Sequence, residues 1–109
     1  MSIKDKLKTI KQVILDVAEK HGVKVNRIIL FGSRARCDYS KDSDWDILIV
    51  TEGRLEKELV KAFWLDVKRG LVDREVIPEL IIVDKRTFEK YKDLKGFVYG
   101  WAAIEGVTI

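Results

Sequence analysis

One cysteine, one proline, one methionine and one histidine are spread over 109 residues. A single thiol excludes an intramolecular disulfide, and cysteine this sparse points to a reducing, cytoplasmic setting. Long apolar runs are missing too. Stretches such as Ile28-Ile29-Leu30-Phe31 and Leu80-Ile81-Ile82-Val83 are far shorter than the roughly 20 residues that span a bilayer. The first residues carry charge from Lys4 onward and lack the apolar stretch of a signal peptide, so no membrane partner is expected. An excess of one charge is also lacking: 21 basic against 18 acidic residues leave a net +3. That is not the basic stripe of a dedicated nucleic-acid binder. Internal repeats and low-complexity stretches are absent, and 47% of the residues are hydrophobic. One domain over residues 1–109 with a single core is therefore expected.

What is present reads as alternating helices and strands. Ser2 is a candidate N-cap, and Ile3, Leu7, Ile10, Ile14 and Val17 form one apolar helical face that ends near His21-Gly22, where glycine suits the left-handed closing position. His21 is expected as a solvated end residue with no chemical role. Arg27–Phe31 reads as a buried strand, and a polar segment from Gly32 to Ser43 follows it. Asp44–Val50 reads as a strand with acids at its mouth and an apolar end. Leu55, Leu59, Phe63, Val67 and Leu71 recur at intervals of four, with Val60 and Trp64 widening the face. This predicts a second helix packed on a sheet. Val76–Val83 reads as a third strand, with Pro78 near its start arguing for an edge position or for strand entry. Thr87–Lys92 predicts a short helix, and Phe97, Trp101 and Ile104 predict a last one closing at Gly106. The fold class is α/β (α+β): a small mixed β-sheet with helices covering one face.

The chemistry is concentrated in the polar segment. Gly32-Ser33 at a strand end presents backbone N–H groups to an anion, and Ser33 adds a hydroxyl. Arg34 and Arg36 stand ready to neutralise phosphate charge. Asp44 and Asp46 are separated by one residue on a predicted strand, so both carboxylates face the same way with Cα atoms about 6.5–7 Å apart. Two such anions repel unless a cation lies between them, and hard oxygen donors suit Mg²⁺ or Mn²⁺. A phosphate cradle beside metal-binding acids points to a nucleotide–metal complex. Each half alone is a common turn feature, and it is their conjunction that carries the reading.

The segment GSRAR followed by SDWD, with ten residues between Ser33 and Asp44, resembles the signature of the minimal nucleotidyltransferases in the DNA polymerase beta-like nucleotidyltransferase superfamily. The resemblance extends over nearly the whole chain. The family's third acid opens a later strand, matched here by Glu79 in Glu79-Leu80-Ile81-Ile82-Val83, and the ending through Glu105-Gly106-Val107 resembles the family's closing helix and terminal strand.

The resemblance implies transfer of a nucleoside monophosphate, AMP from ATP, to an acceptor hydroxyl. It implies two Mg²⁺ ions held by Asp44, Asp46 and Glu79, one activating the acceptor oxygen and one stabilising the leaving pyrophosphate. It also implies a triphosphate site from Gly32, Ser33, Arg34, Arg36 and Ser43. A HEPN-type helical protein as partner, with this chain as its antitoxin, is implied as well; self-association is the other way to supply an acceptor site.

Two departures stand out. The third acid is glutamate where the family has aspartate, so Glu79 is read either as the third catalytic acid or as a strand-entry residue. Asp84 falls on the opposite face by parity. Cys37 stands where the motif has glycine and reads as a small filler. Trp45 points away from the acids and is expected to pack, while Tyr39 and Lys41 are loop residues within reach of a base. The competing reading is a catalytically weak or inactive nucleotide-binding module that acts by binding a partner protein.

Overall fold

The computed structural model describes residues 3–32, 44–93 and 107–109. Helix α1 spans Ile3–His21. Ile10, Val13, Ile14 and Ala18 are buried, while Lys8, Lys11, Gln12 and Asp16 lie exposed on its other side. The chain leaves α1 through a Schellman closure. The Val23 N–H donates to the Ala18 carbonyl at 2.8 Å and the Gly22 N–H to Glu19 at 3.2 Å, with Gly22 at φ 69°. Such a left-handed turn favours glycine.

Strands β1 (Val25–Phe31), β2 (Trp45–Thr51), β3 (Pro78–Asp84) and β4 (Val107–Thr108) form a four-stranded sheet in the order β3-β2-β1-β4. β1 runs antiparallel to β2 and to β4, whereas β2 and β3 are parallel. The parallel pair needs a crossover, supplied by helix α2 (Lys57–Val72). Pro78 opens β3, which lies at the sheet edge as its proline predicts. The short terminal strand expected from the family resemblance is present as β4.

β1 and β2 read as nearly unbroken apolar runs because both of their faces are covered. Ile28, Leu30, Trp45, Ile47 and Ile49 join Ile14 of α1 and Phe63, Val67 and Leu71 of α2 in one core. Ile29, Phe31, Leu48, Val50 and Val83 meet Phe88 in a smaller core on the other side. Phe88 belongs to helix α3 (Lys85–Tyr91). This corrects the expectation that helices cover one face only. Asp84 ends β3 and caps α3 at once, so no loop carries the chain back over the first face. Phe88 then falls beneath Val83.

Other differences are at boundaries. β3 begins at Pro78 because Val76 instead closes α2, its N–H donating to the Leu71 carbonyl at 3.0 Å. α2 begins at Lys57, and Leu55 packs against the core from the preceding loop. The final helix predicted from Phe97, Trp101 and Ile104 lies outside the described residues.

Candidate active site

Because β2 and β3 are parallel, their first residues lie side by side, with Asp46 opposite Glu79 and Trp45 opposite Pro78. β1 arrives antiparallel, with Phe31 opposite Asp46, so its end reaches the same rim and hands over to Gly32. Strand alternation then decides direction. Asp46 and Glu79 share a face with Leu48, Val50, Ile81 and Val83. Trp45 points the other way into the core, only 4% exposed, which anchors the strand mouth on which the acids sit. The Trp45 N–H donates to the Ile77 carbonyl at 2.9 Å, tying β2 to the start of β3. Asp44 is exposed and immediately precedes β2; Asp46 is half-buried and Glu79 exposed.

Gly32 is at φ 74°, and a methyl group on its Cα would overlap the Asp46 carboxylate. The backbone of Gly32 therefore runs directly against that carboxylate. Only glycine meets both conditions. This contact was not legible in the sequence, although a glycine ending a strand one register step from an acid was its signal.

The structure thus brings Gly32, Asp46 and Glu79 to one end of the sheet, with Asp44 adjoining. The donor set is carboxylate oxygen, which suits a hard divalent ion. Among the described residues, no three acid, histidine or cysteine side chains stand close enough to hold a metal as a set. Ser33, Arg34, Arg36 and Ser43, with Cys37, Tyr39 and Lys41, lie outside the described residues.

Two further polar residues are settled by their contacts. Asp84 accepts from the Thr87 N–H at 3.0 Å and from the Thr87 hydroxyl at 2.7 Å. The Thr87 hydroxyl, its backbone N–H and the charge of Arg54 hold the Asp84 carboxyl below the usual carboxylate range. It is a helix cap on the face away from Glu79. His21 is not a solvated end residue: its Nε2 lies 2.6 Å from Asp66 Oδ2 and its ring meets the edge of Phe63. It joins α1 to α2 rather than serving the acids.

The nucleotidyltransferase domain family matches residues 10–101 of this chain. The chain belongs to that family. Among nucleotidyltransferase relatives, a candidate protein adenylyltransferase of Methanocaldococcus jannaschii is 33% identical over 79 residues, covering 72% of this chain and 79% of that protein. A solved structure of a candidate nucleotidyltransferase from Sulfolobus solfataricus matches 97% of this chain and 83% of its own, with TM-score 0.57 and 25% identity. The fold also matches a structure of tri-AMPylated Shewanella oneidensis HEPN toxin in complex with MNT antitoxin. That match covers 94% of this chain and 70% of the other, at TM-score 0.55 and 15% identity. The acid rim therefore lies in a nucleotidyltransferase domain.

Proposed function

We propose that this nucleotidyltransferase domain is a Mg²⁺-dependent enzyme that transfers AMP from ATP to an acceptor hydroxyl on a partner protein. The observation that carries the reading is the register of Asp46 with Glu79 on one sheet face, with Gly32 closing against Asp46. Gly32 and Ser33 offer backbone N–H groups to the triphosphate, and Arg34, Arg36 and Ser43 add charge and hydrogen bonds. Asp44 and Asp46, with Glu79, are the residues that would hold two Mg²⁺ ions, which when bound neutralise charge on the reacting phosphates. The acceptor oxygen bonds to the α-phosphorus as the bond to the β-phosphate bridge breaks, and pyrophosphate leaves. Glu79 takes the proton of the acceptor hydroxyl.

A HEPN-type protein as acceptor, with this chain as antitoxin, is supported by the fold shared with a complex of an AMPylated HEPN toxin and its MNT antitoxin. The second reading, a nucleotide-binding module that silences a partner by association, draws support from the exposed position of Glu79. A transfer assay with α-labelled ATP, Mg²⁺ and extract of the source cells separates the two. Label moves onto a discrete acceptor with the wild type, and Asp44→Asn and Asp46→Asn each reduce transfer by about 100-fold or more. Transfer as fast in either variant as in wild type would refute the assignment. Mg²⁺-ATP binding without transfer would favour the binding module, and unchanged turnover in Glu79→Gln would return that residue to the surface.

A further inference from the structure

A cleft of about 870 Å³ opens at the end of the sheet opposite the acids, between the β2–α2 loop and helix α3. The register runs from Asp46 beside Glu79 to Thr51 beside Asp84, which places this cleft about 16 Å along the strands from the acid rim. Its origin is topological. The neighbouring parallel strands β2 and β3 send the chain to opposite faces, β2 into α2 over the larger core and β3 into α3 under the smaller one. Connections that diverge in this way leave a crevice beyond the carboxyl ends of the strands, a common place for ligands in α/β sheets.

The charge in the cleft is uneven. Two acids line it: Asp84 caps α3 through Thr87 and lies within the charge of Arg54, and Glu52 accepts from Asn26 Nδ2 at 2.8 Å. Both stay anionic, and three cations outnumber them. Its cations are Arg54, Arg86 and Lys90. Among the described residues Arg54 and Arg86 form no ion pair, and both are exposed. Guanidinium forks match the oxygens of a phosphoryl group in pairs. The volume is of the size that holds small organic ligands, far larger than a phosphate ion needs. The lining also carries Leu55, Val60 and Ile82, so Val60 borders this cleft rather than widening the packed face of α2.

We propose that this cleft is a second ligand site, separate from the acid rim, that binds a phosphorylated small molecule. Arg54 and Arg86 hold the phosphoryl group, and Leu55, Val60 and Ile82 receive the organic part. The site does not depend on the transfer reading, and its test runs without metal. The full chain, labelled with ¹⁵N and kept in EDTA, is titrated with phenyl phosphate, inorganic phosphate and phenol while amide shifts are followed. Phenyl phosphate is expected to give saturable shifts at Thr51–Leu55 and Asp84–Tyr91, with inorganic phosphate binding more weakly and phenol leaving those amides unmoved. The Arg54→Gln/Arg86→Gln protein keeps its remaining spectrum, because both side chains are exposed, and loses affinity by about tenfold or more. No saturation by about 10 mM phenyl phosphate, shifts centred on Gly32 and Asp46, an equal response to phenol, or unchanged affinity in the double variant would each overturn the proposal. A phosphoserine peptide that bound more tightly than phenyl phosphate would overturn the small-molecule assignment.

Discussion

At Gly32 the backbone and the chemistry constrain the same atom. Its left-handed φ would cost an L-residue about 1–2 kcal/mol, and any Cβ would displace the Asp46 carboxylate. Gly32→Ala is therefore expected to lower stability by at least about 1 kcal/mol and to reduce nucleotide transfer by about 100-fold through misplacement of Asp46. Denaturant melts and the labelled-ATP assay read the two effects separately. A variant with wild-type activity would show that Asp46 tolerates the shift. The direction of Asp46 was legible beforehand, since a period of two places it on the face opposite Trp45. Glu79 joining that face was legible only as one of two readings. Its 33-residue separation from Asp46 in the chain is bridged by the β2–β3 register, which no local pattern states.

At the scale of elements, α1 and α2 end by the same pair of hydrogen bonds but with different residues in the left-handed position. α1 uses Gly22, while α2 uses Glu75 at φ 62°. Glycine relieves this strain, so Glu75→Gly is expected to stabilise the protein by about 0.5–1 kcal/mol, the steric relief exceeding the added entropy of the unfolded chain. A lower denaturation midpoint in this variant would show that the Glu75 side chain contributes more than its backbone costs.

The same two helices are joined by His21 and Asp66. The His21 hydrogen bond, followed by the charges of Lys20, His21 and Arg69, holds Asp66 below the usual carboxylate range. A depressed folded value means that the folded state binds this proton less readily than the unfolded chain. The contribution is thus full above the ordinary carboxylate pKa and lost as pH falls through the lower folded value. Asp66→Asn should be less stable than wild type at neutral pH, with the gap closing as pH falls below the ordinary carboxylate range. Thermal melts at several pH values check it, and a gap that persisted in acid would remove the pair from the account. The sequence placed His21 correctly at a helix end but could not supply its partner, which comes from another helix 45 residues away.

For the molecule as a whole, β2 ties the two cores together: Trp45, Ile47 and Ile49 face one side, and Leu48 and Val50 the other. Loss of this strand would open both. We accordingly expect the chain to unfold as one unit, with tryptophan fluorescence and far-UV circular dichroism giving coincident denaturant transitions. Separated midpoints would divide the chain into two cooperative parts. α2 reinforces this coupling, since the Trp64 Nε1–H donates to the Leu80 carbonyl of β3 at 3.2 Å. At Gly70 a Cβ would come within 2.7 Å of Val13 on α1, marking a close helix approach.

What the sequence determined by itself were the features that chemistry expresses within one element. The three-and-four spacing of α1, the four-residue spacing of α2, the alternation around Trp45 and the Gly-Ser and Asp-x-Asp motifs follow from backbone geometry that neighbouring residues share. Tertiary structure alone decided which elements meet. It set Asp46 beside Glu79, pressed Gly32 against a carboxylate, put α3 under the second face and opened a cationic cleft beyond Thr51 and Asp84. Each of these joins residues far apart in the chain, and each is selected by the simultaneous burial of both sheet faces. That burial shows locally only as the unbroken apolar runs of β1 and β2; which elements supply it is a property of the packed whole.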